Sequence, residues 1–396
     1  MVYKFIHFGC WNNGSCPSGN NGLSKTMELL NKTVSEDKGY DFISVAGDNY
    51  YTKKYKPSEI TRDKCNFQNL SIDETGIGGK KEKKKEKEGK EKKEVKEFNP
   101  FNFENGFDCL PNEPKKIVIY GNHDIEDTFG EENKKCLLIE QQVLYVKSNP
   151  NKNIILFDNV IFNYINSGTL IIFIDTTLYG LDGTMKIENS CYKEIDGYNY
   201  RIFNNVDMSG TVKDLIDYQN KKIIEIISMF INNKFNKLTN LIVIGHEPII
   251  SVKFKSETNG NKTSSLIGLI ELFSNIIEIV KHNHTNIYYL CADTHIYQSG
   301  VIEINNYNVR QYIVGTGGTS LDECSRINTT EQNSVKYTID KQINNHGFII
   351  VNCWDDRDIE IIFNEIPEIP KILENSKGLE NKYLKYKAKY LALKKN

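Results

Sequence analysis

The stretch FISVAGDNYYT, residues 42–52, joins a five-residue apolar run to a turn carrying Gly47, Asp48, Asn49, Tyr50 and Tyr51. FISVA has the length and apolar character of a buried strand, and Gly47 marks its carboxyl end. Four further stretches repeat this pattern in order: YKFIHFGCWNNG (3–14), IVIYGNHDIED (117–127), LIVIGHEPII (241–250) and IYYLCADTHIYQ (287–298). Each ends in a turn with residue types that bind metals: Cys10, Asp48, Asn122 with His123, His246, and Asp293 with His295. Sheets in α/β proteins gather their ligands at the carboxyl ends of strands. A single turn of this kind is weak information, but five in a fixed order predict loops that converge on one site.

Outward from these blocks, residues 154–157, 160–165, 170–174, 300–304, 311–314, 347–351 and 359–363 also read as strands. Amphipathic periodicity predicts helices over 23–34, 212–232 and 266–281. The alternation indicates a layered α/β fold. Because strands outnumber helices, two packed sheets flanked by helices are expected rather than one doubly wound sheet. The 396 residues, 39% hydrophobic and 26% charged, can build a large core, which excludes a wholly disordered chain. With 50 Lys+Arg against 52 Asp+Glu, the net charge of −2 supplies no global field for nucleic acid, and a nucleic-acid partner is not expected. No apolar run is long enough to span a bilayer and no signal-peptide pattern opens the chain. The expected location is therefore cytoplasmic. Nine cysteines, an odd number without a Cys-x-x-Cys pair, suggest reduced thiols, with Cys10 and Cys16 the one local pairing to suspect.

The expected organisation is one domain over residues 1–366, interrupted at about 76–98 by a Lys/Glu-rich insertion, and a tail over 367–396. The insertion has almost no apolar side chain to bury. In the tail, Tyr383, Tyr386, Tyr390 and Leu393 recur at near-heptad spacing with lysines around them, predicting a basic amphipathic helix. It reads either as a helix that docks on a protein partner, self-associates or touches an anionic surface, or as an appended helix with no such role.

Asp48 can bridge two cations, Asn122 offers a carbonyl oxygen, and His246 and His295 offer imidazole nitrogens, a mixed set suited to Zn, Fe or Mn. Such a pair of ions polarises a phosphoryl oxygen and acidifies water. The blocks resemble those of the calcineurin-like metallophosphoesterase superfamily, and within it the tartrate-resistant type of purple acid phosphatase. YIVGTGG (312–318) is similar to that family's glycine-rich strand end. The resemblance implies a four-layer α/β/β/α sandwich, a dinuclear centre of divalent or mixed-valence ions, and hydrolysis of a phosphate monoester on a small molecule or phosphoprotein. It implies Asp48 as bridging ligand, Tyr51 as phenolate ligand, Asn122 and His246 on the second metal, and His295 on the first. His123 would contact substrate and protonate the leaving group, with Asn122 also orienting the phosphate. The tail resembles Tyr/Lys-rich C-terminal helices of amoeba-infecting giant viruses, which implies a host-cytoplasmic or virion setting.

Two ligand positions depart from that pattern. Cys10 stands where the family has an aspartate, and Asp293 where it has a histidine. A thiolate keeps the charge of the lost carboxylate but favours softer ions. Asp293 adds a negative charge, which makes the cations weaker Lewis acids and implies a less acidic optimum. Two readings therefore compete with the monoesterase: a degenerate binding or structural protein of the same fold, and a phosphodiesterase or nuclease. Tyr51 reads as a ligand or a core aromatic, Cys10 as a ligand or a buried free thiol. His7 and His346 read as structural histidines, His282 and His284 as surface, and Lys253 and Lys255 as surface lysines or phosphate contacts. No Gly-x-Ser-x-Gly elbow or Walker loop is present, which argues against a serine hydrolase or an NTPase.

Overall fold

The computed structural model describes residues 3–13, 16, 21–51, 53–54, 96–97, 104, 106–125, 137–157, 160–165, 168–191, 209–232, 237–354 and 358–367. Two mixed sheets dominate. The first has six strands in the order Glu360–Glu365, Gly347–Cys353, Tyr3–Phe8, Phe42–Ala46, Lys116–Ile119, Ile154–Leu156. The second has eight, in the order Thr329–Gln332, Val335–Ile343, Tyr297–Ile304, Tyr307–Val314, Asn286–Cys291, Asn240–Ile244, Thr169–Phe173, Ile161–Ile165.

The strands that carry the five turns pair in parallel: Tyr3–Phe8 with Phe42–Ala46, Phe42–Ala46 with Lys116–Ile119, and Asn240–Ile244 with Asn286–Cys291. Parallel pairing puts their carboxyl ends on the same edge of each sheet, so the turns lie side by side.

Period-two alternation sorts the second sheet into two faces. Leu170, Ile172, Leu241 and Val243 pack with helices Val212–Ile231 and Ile267–Val280. Their neighbours Ile171, Phe173, Ile242 and Ile244 join Phe5, Phe8, Phe42 and Val45 of the first sheet in one continuous core. Phe42 meets Phe173 edge to face across the layers, ring centroids 5.8 Å apart. Helices Gly22–Glu36 and Leu137–Ser148 add Leu23, Met27, Leu30, Leu138 and Tyr145 to that core. The result is the α/β/β/α arrangement expected from the strand surplus and the resemblance. Each fully buried aliphatic or aromatic side chain contributes roughly 1.5–3 kcal/mol, which is why strands buried on both faces, such as Asn240–Ile244, read as unbroken apolar runs.

Helix starts follow local chemistry. Thr211 and Asp214 form a capping box at Val212–Ile231, and Asn21 accepts the Ser24 N–H at Gly22–Glu36. Helix Leu137–Ser148 and a three-stranded sheet of Gly260–Ser265, Ile250–Lys255 and Glu323–Cys324 were not anticipated. The two-residue strands Lys53–Lys54 and Lys96–Glu97 pair antiparallel. Most of the expected Lys/Glu insertion, and the tail from residue 368, lie outside the described residues.

The cysteines overturn the expectation of reduced thiols. Cys16 is bonded to Cys109, 93 positions away, not to Cys10, and Cys191 is also disulfide-bonded. The pairing is tertiary: helix Gly22–Glu36 lies against the second partner, with the Asn31 side-chain amide donating to the Cys109 carbonyl at 2.9 Å. These bridges remove the cysteine-based ground for placing the chain in a reducing compartment. Cys10, Cys291, Cys324 and Cys353 are free. Among the described residues no helix is long and apolar enough to cross a membrane.

Candidate metal centre

Asp48 is fully buried at the end of Phe42–Ala46, and its two carboxylate oxygens face different partners. Oδ1 lies 3.2 Å from His246 Nε2 and accepts the His123 backbone N–H at 3.2 Å. Oδ2 accepts the Tyr51 hydroxyl at 2.8 Å and the Cys10 thiol at 3.6 Å. On the Oδ2 side, one donor atom each from Cys10, Asp48 and His295 lie within 4.8 Å of one another, and the Tyr51 hydroxyl is 3.3 Å from His295 Nε2. On the Oδ1 side, His246 Nε2 also lies 3.1 Å from Asn122 Oδ1 and 3.9 Å from Asp293 Oδ1. The His123 ring sits 4.8 Å from the Tyr51 ring, centroid to centroid. All eight residues singled out in the sequence thus meet around one carboxylate.

Hydrogen bonding decides which nitrogens point inward. His246 Nδ1 donates to the Ala46 carbonyl at 2.7 Å, and His295 Nδ1 to the Ser320 carbonyl at 3.0 Å. In both rings Nε2 is left for the centre, the usual way a ligand histidine is oriented. His246 Nε2 then faces three oxygens, from Asp48, Asn122 and Asp293. A neutral ring would set its lone pair against acceptors, so the position calls for a cation: a proton or a metal ion. The residue types and spacing fit a metal pair bridged by Asp48.

Titration behaviour points the same way. Burial disfavours charge on His246, but the carboxylates of Asp48, Glu247 and Asp293 together lift its pKa well above the usual imidazole range. Burial also opposes charge on Asp48, yet His246 holds that carboxyl well below its usual range. Burial, reinforced by the Asp48 charge, pushes the Cys10 thiol and the Tyr51 phenol well up. Asp293 is raised and His295 lowered, both chiefly by burial.

Three ligand-type residues at strand ends adopt left-handed backbone: Cys10 (φ 52°), Asp48 (φ 52°) and Asp293 (φ 53°). Each such residue costs on the order of 1–3 kcal/mol and persists only where its surroundings enforce it. Close packing supplies that enforcement: a Cβ on Gly121 would lie 2.3 Å from Asp48 Oδ1 and 2.4 Å from the Asp48 backbone nitrogen.

Sequence reasoning passed over the groups that hold the turns together. Asp124, buried, accepts backbone N–H groups of Gly121 (2.8 Å) and Asn49 (3.1 Å) and the Gln142 side-chain amide (2.9 Å). Burial pushes its pKa up to about 6. The Asn49 side chain donates to the Ile119 carbonyl at 2.8 Å and accepts the Trp11 indole N–H at 3.1 Å. This network ties three of the five turns. Asn49 and Asp124 adjoin Asp48 and His123 in the quoted blocks, and polar side chains next to a buried ligand were the available signal. Lys253 is no free phosphate contact: its ammonium pairs at 2.7 Å with Asp322, which accepts the His295 backbone N–H at 2.9 Å. His7 contacts Ser44 and the Cys291 carbonyl, and His346 the Thr316 carbonyl, as structural histidines do. His282 and His284 are exposed.

The chain belongs to the calcineurin-like phosphoesterase family, whose sequence profile matches residues 3–297. Solved structures to which it is similar, at low identity, include the following. One is GAP50, "the anchor in the inner membrane complex of Plasmodium" (12% identity, TM-score 0.48, covering 93% of this chain and 85% of that one). Another is the purple acid phosphatase PPD1 from yellow lupin, Lupinus luteus (12%, TM-score 0.49, 92% of this chain and 52% of that one). The third is PhoD (9%, TM-score 0.45, 91% and 68%). A search of curated proteins finds no match.

Proposed function

We propose that this protein hydrolyses phosphate monoesters at a dinuclear metal centre bridged by Asp48. The observation that supports this reading is the division of labour within one carboxylate: Oδ2 faces Cys10 and Tyr51, with His295 beside them, and Oδ1 faces His246, with Asn122 and Asp293 beyond it. Metal ions held there would supply Lewis acidity toward the phosphoryl group and lower the pKa of water. The chain's own residues supply the rest. Asn122 orients the phosphate, and His123, half-buried at the rim of the site, gives a proton to the leaving oxygen. Asp293 adds negative charge beside His246 and shifts the optimum to less acidic pH than an imidazole there would. The substrate is a phosphorylated small molecule or phosphoprotein.

Metal analysis of the purified chain, with p-nitrophenyl phosphate and its bis-ester assayed side by side, tests the reading. Two metals per chain with monoester turnover, both lost in Asp48→Ala, are expected. Preference for the bis-ester would move the assignment to a phosphodiesterase. A metal-poor, silent protein would overturn it in favour of a binding protein, the reading that the exchanges at Cys10 and Asp293 favour.

A further inference from the structure

On the Oδ2 side of Asp48 one sulfur donor, Cys10, joins the oxygens of Asp48 and Tyr51 and the His295 nitrogen. We propose that Cys10, Asp48 and His295 form a thiolate site selective for a thiophilic divalent ion of the zinc class over ferric iron. The inference rests on the metal-binding part of the proposed function and is independent of turnover.

Geometry carries it. Around a tetrahedral ion with bonds of about 2.0–2.3 Å, neighbouring donor atoms stand roughly 3.3–3.8 Å apart. Cys10 Sγ lies 3.6 Å from Asp48 Oδ2, and the three donor atoms all lie within 4.8 Å of one another, so small side-chain rotations close the set. The Cys10 side chain has little freedom to point elsewhere. Its backbone is left-handed (φ 52°), its N–H donates to the Gly47 carbonyl at 3.1 Å, and its carbonyl accepts the Thr319 N–H at 3.2 Å. The adjacent Trp11 ring is wedged against Phe8 and Phe107.

The other buried free thiols provide an internal contrast. Cys291 Sγ approaches only the Tyr312 carbonyl, at 3.6 Å, and Cys353 packs in the apolar core. Neither falls in the group of donors that can hold an ion. Cys10 alone among the described free cysteines faces both a carboxylate and an imidazole nitrogen. As the metal–sulfur bond forms, the thiol proton leaves to solvent. With Tyr51 keeping the proton it donates to Asp48 Oδ2, one thiolate and one carboxylate balance a divalent charge, and the sulfur biases the set toward softer ions.

Cobalt(II) titration of the full metal-free chain tests this, in buffer without added thiol so that the disulfides stay closed. The expected result is a near-ultraviolet sulfur-to-cobalt charge-transfer band that saturates at one thiolate per chain. Zinc should erase it and ferric iron should not. Cys10→Ser should abolish the band and weaken zinc binding on the order of tenfold or more, whereas Cys291→Ser and Cys353→Ser keep it. If Cys10→Ser fails to fold, Cys10→Asp serves: it should bind cobalt through oxygen and nitrogen, without the band. Cobalt binding without a charge-transfer band, or a band untouched by either Cys10 substitution, overturns the thiolate site while leaving a metal hydrolase possible. The band without any ester turnover supports the thiolate site and counts only against the hydrolase. No cobalt binding at all overturns both.

Discussion

Replacing Gly121 by alanine adds one methyl group at the most crowded point of the site. The new Cβ would stand 2.3 Å from Asp48 Oδ1, 2.4 Å from the Asp48 backbone nitrogen and 2.7 Å from His246 Cε1. Ordinary van der Waals contact begins near 3.4 Å, so the neighbours must retreat by about 1 Å. The Asp48 backbone nitrogen cannot rotate away as the end of a side chain can, so the whole Gly47–Asp48 turn shifts. Metal sites tolerate only about 0.2 Å in their bond lengths. The displacement exceeds that several-fold, whereas overpacking one methyl costs the fold roughly 1–3 kcal/mol. Gly121→Ala should therefore fold with a melting temperature lowered by only some degrees, yet bind metal on the order of 100-fold more weakly. Gly183→Ala is the control, because its Cβ would meet only the Lys213 Cβ at 3.6 Å. Thermal melts and metal titrations on the same preparations read both quantities. Wild-type metal affinity in a folded Gly121→Ala protein would refute the claim that this contact positions Asp48.

Three other outcomes follow from the packing. Asp124→Ala leaves the Gly121 and Asn49 backbone N–H groups without their buried acceptor, and urea unfolding should show a loss of roughly 2–5 kcal/mol; a loss under 1 kcal/mol means that water or another group replaces it. His7 is fully buried, and burial pushes its pKa from 6.5 down to about 4. The unfolded chain takes up that proton first as pH falls, so His7 contributes stability that is complete above about pH 6.5 and lost toward about pH 4, by roughly 3 kcal/mol. Unfolding at pH 7 and pH 4.5 should therefore differ less in His7→Gln than in wild type, and equal differences would remove His7 as the cause. The double variant Cys16→Ser/Cys109→Ser opens a bridge between positions 93 residues apart, with an expected loss of about 2–4 kcal/mol in denaturant titration; unchanged stability would show that helix packing alone holds that corner.

The amino-acid sequence by itself determined the layered architecture and picked out eight candidate residues that the fold brings together. Strands such as Asn240–Ile244 are legible because burial on both faces demands an unbroken apolar run, and the long helices because their buried stripe repeats every three to four residues. The eight candidate residues are legible because ligands collect where strands end, and strand ends are local features of composition. Strand Gly260–Ser265 escaped because it is polar throughout and leaves no periodic signal, whereas Val335–Ile343 does alternate, with Val335, Tyr337 and Ile339 buried between polar neighbours, and that short signal was passed over. Only the tertiary structure decided which atoms face one another. The Cys16–Cys109 pairing, the two-sided use of Asp48, the Asn49–Asp124–Gln142 network and the Lys253–Asp322 support of His295 all join residues far apart in the chain. Side-chain direction at a strand end depends on one or two backbone torsions, here the left-handed turns at Cys10, Asp48 and Asp293, and packing from distant segments sets those torsions.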